Sequence, residues 1–161
     1  MRLLIAALLV ITPGAWAQEA DAYNYRANGH AFFTGGACQH GYAHYGGGFG
    51  GEGFVWRGLS LGGELGVLKF NDRNSDPIGL TAFHVGYHFV NRKRPVKVDP
   101  YVNAALLGIG FTGRGNSAYG GLGGGVNYWF KPRFGLRLEG RLNALGEGEA
   151  LFMARIGVVF R

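Results

Sequence analysis

The stretch FGLRLEGRLNAL, residues 134–145, constrains the fold more than any other part of the chain. Apolar side chains alternate there with Arg137, Glu139, Arg141 and Asn143, which is the period-two pattern of a β-strand with two different faces. A soluble sheet produces this pattern when its polar face meets water. A β-barrel in a lipid bilayer also produces it, when the charged face points inward and the apolar face meets lipid. The two readings assign opposite faces to the same residues.

The N-terminal segment has the pattern of a secretory signal. A positive start, an apolar run over 3–12 and a small–x–small motif at 15–17 predict a signal peptide over 1–17, removed before the next residue. A polar lead-in follows over 18–27. An uncleaved membrane anchor is the alternative, but the apolar run is shorter than the roughly 20 residues that cross a bilayer.

Glycine accounts for 31 of the 161 residues, but this composition does not indicate a disordered linker. Aromatic residues reach 14% and are spread through the glycine-rich segments, whereas disordered segments are poor in them. Glycine weakens an isolated strand, but it suits strands that curve sharply or surround a narrow interior. The composition therefore favours a tightly wound small barrel.

The only cysteine, Cys38, cannot form an intrachain disulfide. A secreted chain without a disulfide must be stabilised by its own fold and its surroundings. No second ligand or base is recognisable beside Cys38 in the sequence, so we predict a buried or loop thiol with no catalytic role.

Eight segments from Asn28 onward have strand character. Two of their connections, Arg57-Gly58 and Lys131-Pro132-Arg133, are short enough for tight hairpins. The longest later apolar run, 102–111, is too short for a transmembrane helix and suits a tilted membrane strand of about 9–11 residues. The predicted strands are 28–37, 45–56, 59–70, 78–89, 100–111, 119–130, 134–145 and 150–161. The predicted fold over 28–161 is all-β, an eight-stranded antiparallel up-and-down transmembrane β-barrel.

Aromatic residues gather near the ends of the predicted strands. A first band beside the tight turns consists of Trp56, Tyr87, Phe89, Tyr101, Tyr128, Trp129, Phe130, Phe134 and Phe160. A second band at the other strand ends consists of Tyr42, Tyr45, Phe70, Phe111, Tyr119 and Phe152. Two such bands are typical of the interface girdles of membrane barrels, although aromatic residues also favour strands in general. Strict alternation nevertheless places Trp56 and Trp129 on the inward face.

Charged residues fall on the predicted inward faces in equal numbers. Buried charges are normally paired, and strands 3 and 7 lie opposite each other in a ring of eight, so long side chains could meet across it. We predict a structural ion network that plugs the lumen and consists of Glu52, Glu64, Arg137, Glu139, Arg141 and Arg155. Inward Gly62, Gly66, Gly125 and Gly157 remove bulk, which the long arginines would offset. Strands 1 and 5 are apolar or small on both faces and cannot be oriented from the sequence. A soluble sandwich with solvated charges outside is the alternative.

No motif predicts catalytic, cofactor-binding or metal-binding residues. His84 and His88 lie four apart, which on a strand separates them by about 13 Å, so we interpret them as lumen or rim residues. His40 and His44 flank a loop and could be weak metal ligands, but a solvated loop is the preferred interpretation. The glycine run at 46–51 matches GxGxxG, but this is expected by chance in so glycine-rich a chain. No Ser/His/acid set is visible.

The densest basic run is the turn Arg92, Lys93, Arg94 and Lys97. Secretion argues against nucleic acid as a partner. A periplasmic turn that contacts anionic phospholipid headgroups and a merely solvated turn are both compatible with the run.

The last strand, LFMARIGVVFR, places Phe152, Ala154, Ile156, Val158 and Phe160 on one face. With GGGFGGEGFVWRGLSLGGELGV and GGGVNYWFKPRFGLRLEGR, it resembles the small OmpA-like outer-membrane β-barrel domain family. The resemblance implies an outer-membrane location, with outer-membrane lipids and the barrel-assembly machinery as partners, and it implies no reaction. Members commonly end in an aromatic residue, whereas here Phe160 is followed by Arg161.

The expected function is a non-enzymatic, monomeric outer-membrane barrel with a structural or surface-interaction role. A lumen that binds or passes a small ligand is one alternative. A lipid-modifying enzyme is another, which would require a His and a Ser that meet at the outer-leaflet end of one face.

Overall fold

The computed structural model describes residues 26–39, 41–71, 76–89, 97–110, 117–146 and 149–161. Eight strands form a closed barrel in which every strand pairs antiparallel with its chain neighbours and the last pairs with the first. The strands are β1 (Ala27–Cys38), β2 (Ala43–Trp56), β3 (Leu59–Phe70), β4 (Ile78–His88), β5 (Val98–Ile109), β6 (Ser117–Lys131), β7 (Phe134–Gly146) and β8 (Glu149–Phe160). The predicted fold is confirmed. The signal peptide and nearly all of the lead-in lie outside the described residues.

One end of the barrel is built from short connections. Arg57 and Gly58 join β2 to β3 with φ values of 36° and 94°, as expected for a two-residue turn with both central residues in the left-handed region. Gly58 is required there, because an added Cβ would lie 2.5 Å from the carbonyl oxygen of His88. Pro132 and Arg133 join β6 to β7. We call this end the turn rim; it also contains the start of β1, the end of β4, the start of β5 and the end of β8.

The exterior of the barrel is apolar and exposed. Phe33 is 76% and Leu122 is 71% exposed on outward faces. In the described strands, only Lys69 and Lys131 place a charge on the outward side, and both lie at strand ends. Charged residues are instead buried inside, which excludes the soluble-sandwich alternative. Within the described residues, no helix is long and apolar enough to cross a bilayer.

The interior has two zones. Toward the end opposite the turn rim, six buried side chains form a cluster that we call the apolar plug: Leu68, Leu80, Ala82, Leu107, Leu151 and Met153. Phe70 and Tyr119 pack against this cluster. Their predicted place in the second aromatic band is therefore wrong. The remaining interior, toward the turn rim, is mainly polar and charged, with Phe32, Trp129 and Val159 as buried apolar members. The predicted ion network therefore occupies only one of the two zones.

Candidate functional site: the buried ion network of the lumen

The barrel register brings the predicted network together. Arg137, Glu139 and Arg141 alternate along β7, and Arg155 on β8 is the cross-strand partner of Glu139. The other two carboxylates, Glu52 on β2 and Glu64 on β3, enter from the far side of the lumen. None of these six residues is more than 6% exposed.

Glu64 binds two guanidinium groups. Arg141 Nη1 and Arg155 Nη1 donate to Glu64 Oε2 at 3.1 and 2.8 Å, and Arg141 Nη2 donates to Oε1 at 3.3 Å. His30 Nε2 lies 3.2 Å from the same Oε1. Two-point contacts between arginine and a carboxylate fix both groups in position, so Glu64 ties β3 to β7 and β8 across the lumen.

Glu139 is the partner of neighbouring arginines on its own strand. Arg141 Nη2 lies 2.7 Å from Glu139 Oε1, and Arg137 Nη2 lies 3.2 Å from Oε2. The hydroxyl of Tyr101 on β5 also donates to Oε2, at 2.8 Å. The guanidinium of Arg137 stacks over the Tyr101 ring at 4.3 Å, an arrangement that adds a cation–π attraction.

Glu52 links the arginines to a second polar group nearer the turn rim. Arg137 Nη1 donates to Glu52 Oε1 at 3.0 Å, and the Ser60 hydroxyl donates to Oε2 at 2.7 Å. His88 lies between two carboxylates, with Nε2 3.2 Å from Glu52 Oε2 and Nδ1 2.8 Å from Asp99 Oδ1. Asp99 and His88 thus extend the network to β4 and β5.

The charges of this cluster balance once His88 is included. Glu52, Glu64, Glu139 and Asp99 carry four negative charges, against three from the arginines. Both ring nitrogens of His88 lie within hydrogen-bond distance of carboxylate oxygens, an arrangement that favours the imidazolium form, and an imidazolium here is the fourth cation. Charge balance is what burial demands, since an unpaired buried charge is very costly.

Sequence reasoning missed Asp99, Tyr101 and the role of His88. On β5, Asp99, Tyr101 and Asn103 do alternate with outward apolar residues. The signal fades after Asn103, because Ala105 and Leu107 continue the inward face into the apolar zone. A search for period-two alternation in only the half of β5 nearest the turn rim would have identified Asp99 and Tyr101 as inward-facing.

Inward glycines leave the room that the network occupies, as predicted for Gly62 and Gly125. A Cβ at Gly125 would lie 2.7 Å from the Tyr101 hydroxyl oxygen, and a Cβ at Gly62 would overlap Nε2 of His84. His84 is itself confined, with its ring nitrogens 3.9 Å from Glu52 and 4.0 Å from Glu64.

Gly62→Ala is expected to destabilise the barrel by about 1–3 kcal/mol, because the extra methyl overpacks the lumen against the His84 ring. The matched control is Gly53→Ala on the neighbouring strand, where an added Cβ meets nothing within 4 Å. Urea unfolding of both variants in lipid vesicles measures the difference. Equal stability of the two variants would contradict this account of lumen packing.

Little open space is left around the network. A cavity of about 10 Å³ lies beside His30, Phe32 and Arg155, which is about enough for one water molecule. In the described part of the chain, no group of three or more His, Cys, Asp or Glu side chains could hold a metal ion.

His44 is buried on β2, with its ring 5.9 Å from that of Phe70, so its interpretation as a solvated loop residue is wrong. Cys38 is a half-buried free thiol at the end of β1.

Most residues of the predicted first aromatic band, the one beside the tight turns, face outward near the turn rim. Exposed members are Trp56, Tyr87, Phe89, Tyr128, Phe130, Phe134 and Phe160. Trp56 is turned outward by a β-bulge between Phe54 and Trp56, which shifts the alternation by one residue. Trp129 and Tyr101 are only 4% and 2% exposed, and their assignment to the girdle is wrong. On β6 the bulge follows Trp129 and so leaves its ring inside.

The predicted basic turn is only partly visible. Lys97 is exposed just before β5, and its carbonyl accepts a hydrogen bond from the Trp129 backbone N–H at 2.7 Å. Arg92, Lys93 and Arg94 lie outside the described residues.

Comparisons with known proteins support the fold. No protein-family model and no curated protein matches the chain. Among solved structures, the chain is similar to Neisserial surface protein A, with 17% identity, a TM-score of 0.59, and coverage of 83% of this chain and 94% of that one. It is also similar to the N-terminal β-barrel domain of OprF from Pseudomonas aeruginosa, with 22% identity, a TM-score of 0.55, and 83% and 96% coverage. OprG from the same organism gives 9% identity, a TM-score of 0.57, and 83% and 93% coverage.

These proteins are small outer-membrane barrels. The shared closed eight-stranded fold, the apolar exterior and the buried charges together define this chain as an outer-membrane β-barrel.

Proposed function

We propose that this barrel is non-enzymatic, has a structural or surface-interaction role in the outer membrane, and carries no solute through its lumen. The observation that carries the proposal is the ion network, which crosses the lumen from β7 to both β2 and β3. Eight strands enclose an interior just wide enough to be filled by side chains, and here long side chains meet in the middle of it.

Two different barriers lie in series along the axis. A solute that passed the ion network would have to separate buried charge pairs, each of which costs about 3–5 kcal/mol to break. It would then meet the apolar plug, whose six side chains carry no charge and no hydrogen-bond donor. The water-sized cavity beside Arg155 does not favour the alternative of ligand passage.

The enzyme alternative is not favoured by the placement of Ser60 and His88. Both approach the same oxygen of Glu52, and the Ser60 hydroxyl donates to the carboxylate instead of to the histidine. Both residues are buried near the turn rim, whereas a lipid-modifying site would open toward the outer leaflet. Outer-membrane lipids and the barrel-assembly machinery are the partners we propose for a monomeric barrel of this kind.

The parent protein is expected to show no stable conductance in planar lipid bilayers, because both barriers are intact. Glu139→Ala is expected to give brief, sporadic openings, because Arg137 and Arg141 each lose a partner while the apolar plug remains. Adding Met153→Ala, which thins the plug, should lengthen these openings. Single-channel recording measures all three.

Asp76→Ala is the control, because it removes an exposed carboxylate outside the lumen and should stay silent like the parent. A large, stable conductance in the parent would defeat the plugged-lumen proposal and favour transport.

A further inference from the structure

The turn rim carries only one sign of exposed charge among the described residues. Its cations are Arg26, Arg57, Lys97, Lys131, Arg133 and Arg161, all exposed except the half-buried Arg161. The carboxylates nearest this end, Glu52 and Asp99, point into the lumen and are at most 4% exposed. The opposite end has mixed charge in its described part, with Lys69, Asp76 and Glu149.

These cations are distributed around the ring. Arg26 precedes β1, Arg57 lies between β2 and β3, and Lys97 precedes β5. Lys131 and Arg133 flank the β6–β7 turn, which is tied to the end of β8 because the Arg161 backbone N–H donates to the Arg133 carbonyl at 3.2 Å. A ligand spread around the barrel would therefore meet a positive charge on almost every side.

The depth of the cations is fixed by their neighbours. Arg57 directly follows the outward-facing Trp56 and stacks on its ring at 5.2 Å. Lys131 and Arg133 fall between Phe130 and Phe134 in the sequence, and both of these aromatic residues are exposed. Exposed aromatic residues at strand ends mark the level where hydrocarbon meets headgroups, so these side chains lie at the phosphate level. Turns of two residues cannot carry them much farther from the membrane.

We propose that the turn rim is a binding surface for the phosphate groups of anionic phospholipids in the leaflet that surrounds it. The inference rests on the proposed membrane location and extends lipid contact from one basic turn to the whole rim. The cations lie at the level of the lipid phosphates and do not extend beyond the membrane surface. This position favours lipid headgroups over a partner such as the cell wall, which would require groups that reach away from the membrane.

The expected selectivity is substantial. A basic residue near an anionic membrane surface contributes about 1 kcal/mol, or roughly fivefold in affinity, and the attraction decreases with salt. Because lipids exchange freely around the rim, we expect phosphatidylglycerol to be preferred over phosphatidylcholine by at least about threefold at low ionic strength.

Trp56 provides a local reporter, because it is 64% exposed beside Arg57 whereas Trp129 is buried in the barrel. The mature protein is reconstituted into phosphatidylcholine vesicles that contain increasing fractions of brominated phosphatidylglycerol, or of brominated phosphatidylcholine. Quenching of tryptophan emission then gives the relative binding constant of the two lipids at the rim. The parent should prefer phosphatidylglycerol, and 0.5 M salt should reduce the preference.

The main variant combines Arg57→Gln, Lys97→Gln, Lys131→Gln and Arg133→Gln, and it should lose the preference. Arg57→Lys with Arg133→Lys keeps the charge and should retain it, as should Lys69→Gln at the opposite end. Heat-modifiable gel mobility reports whether each variant is folded. If the variant with four substitutions does not fold, Lys131→Gln and Arg133→Gln are measured singly, and each should lower the preference for phosphatidylglycerol.

Equal quenching of the parent by both lipids would overturn the proposal, as would an undiminished preference in the variant that lacks four of the six rim cations. Binding of the purified parent to cell-wall sacculi without any lipid preference would assign the rim to the cell wall instead. None of these outcomes depends on whether the lumen conducts, so failure here is distinct from failure of the proposed function.

Discussion

Glu64→Ala is expected to be the most damaging single change in the lumen, lowering the free energy of unfolding by about 3–5 kcal/mol. Removing this carboxylate leaves Arg141 and Arg155 short of a partner and takes the acceptor from His30. Water that enters the vacated space can accept hydrogen bonds from the guanidinium groups, but it cannot supply the missing negative charge. Urea unfolding in lipid vesicles, followed by tryptophan emission, measures the loss.

Asp76→Ala, which removes a carboxylate exposed to water, is the control and should change the stability by no more than about 0.5 kcal/mol. Combining Glu64→Ala with Arg155→Ala should cost less than the sum of the single changes, because the second change removes one of the unpaired charges left by the first. Simple additivity, or a Glu64→Ala variant as stable as the control, would contradict a paired network.

Leu138→Arg on the outer face should cost roughly 2–4 kcal/mol, because it places a guanidinium at mid-bilayer on the lipid side. Leu138 lies near the middle of β7, is 44% exposed, and faces opposite to Arg137 and Glu139. Reversible unfolding from phospholipid vesicles measures the cost.

The matched variant is Phe134→Arg at the start of the same strand, also on the outer face. At interface depth the charge itself should cost only about 0–1 kcal/mol. If Leu138→Arg were tolerated as well as Phe134→Arg, the outer face of β7 would not contact hydrocarbon and the assignment of faces would be inverted.

The sequence was sufficient for the fold because apolar residues alternate with charged or amide side chains from Leu136 to Asn143 on β7, and Arg155 interrupts an otherwise apolar β8. Once the direction of Arg137 and Arg155 is known, the same count on β2 and β3 places Glu52 and Glu64 inside. The two tight turns were also visible as short polar breaks between periodic runs. Period-two patterning carries this much information because a slip of one residue would exchange the inside with the outside.

Most of the other features escaped because their physical cause is not periodic. The bulge that turns Trp56 outward depends on how β2 pairs with β3 near the turn, and nothing in the local sequence marks it. On β5 the apolar plug obscured the orientation, because an apolar interior beside an apolar exterior produces no alternation. On β1 the buried Asn28, His30 and Thr34 do alternate with small or apolar residues, and that signal was overlooked. The charge of His88 arises only when β2 and β5 bring Glu52 and Asp99 to its two sides.

The ion network also has a consequence for how the barrel can form. Glu64 comes from the first half of the chain, yet its partners Arg141 and Arg155 are separated from it by 77 and 91 positions. Glu64 and Glu52 therefore acquire their arginine partners only after the last two strands have been added. A half-inserted sheet would expose these charges to hydrocarbon, so its population should be small. Insertion and closure should accordingly proceed as one cooperative, high-contact-order step, with the charges themselves opposing any partly assembled barrel in the membrane.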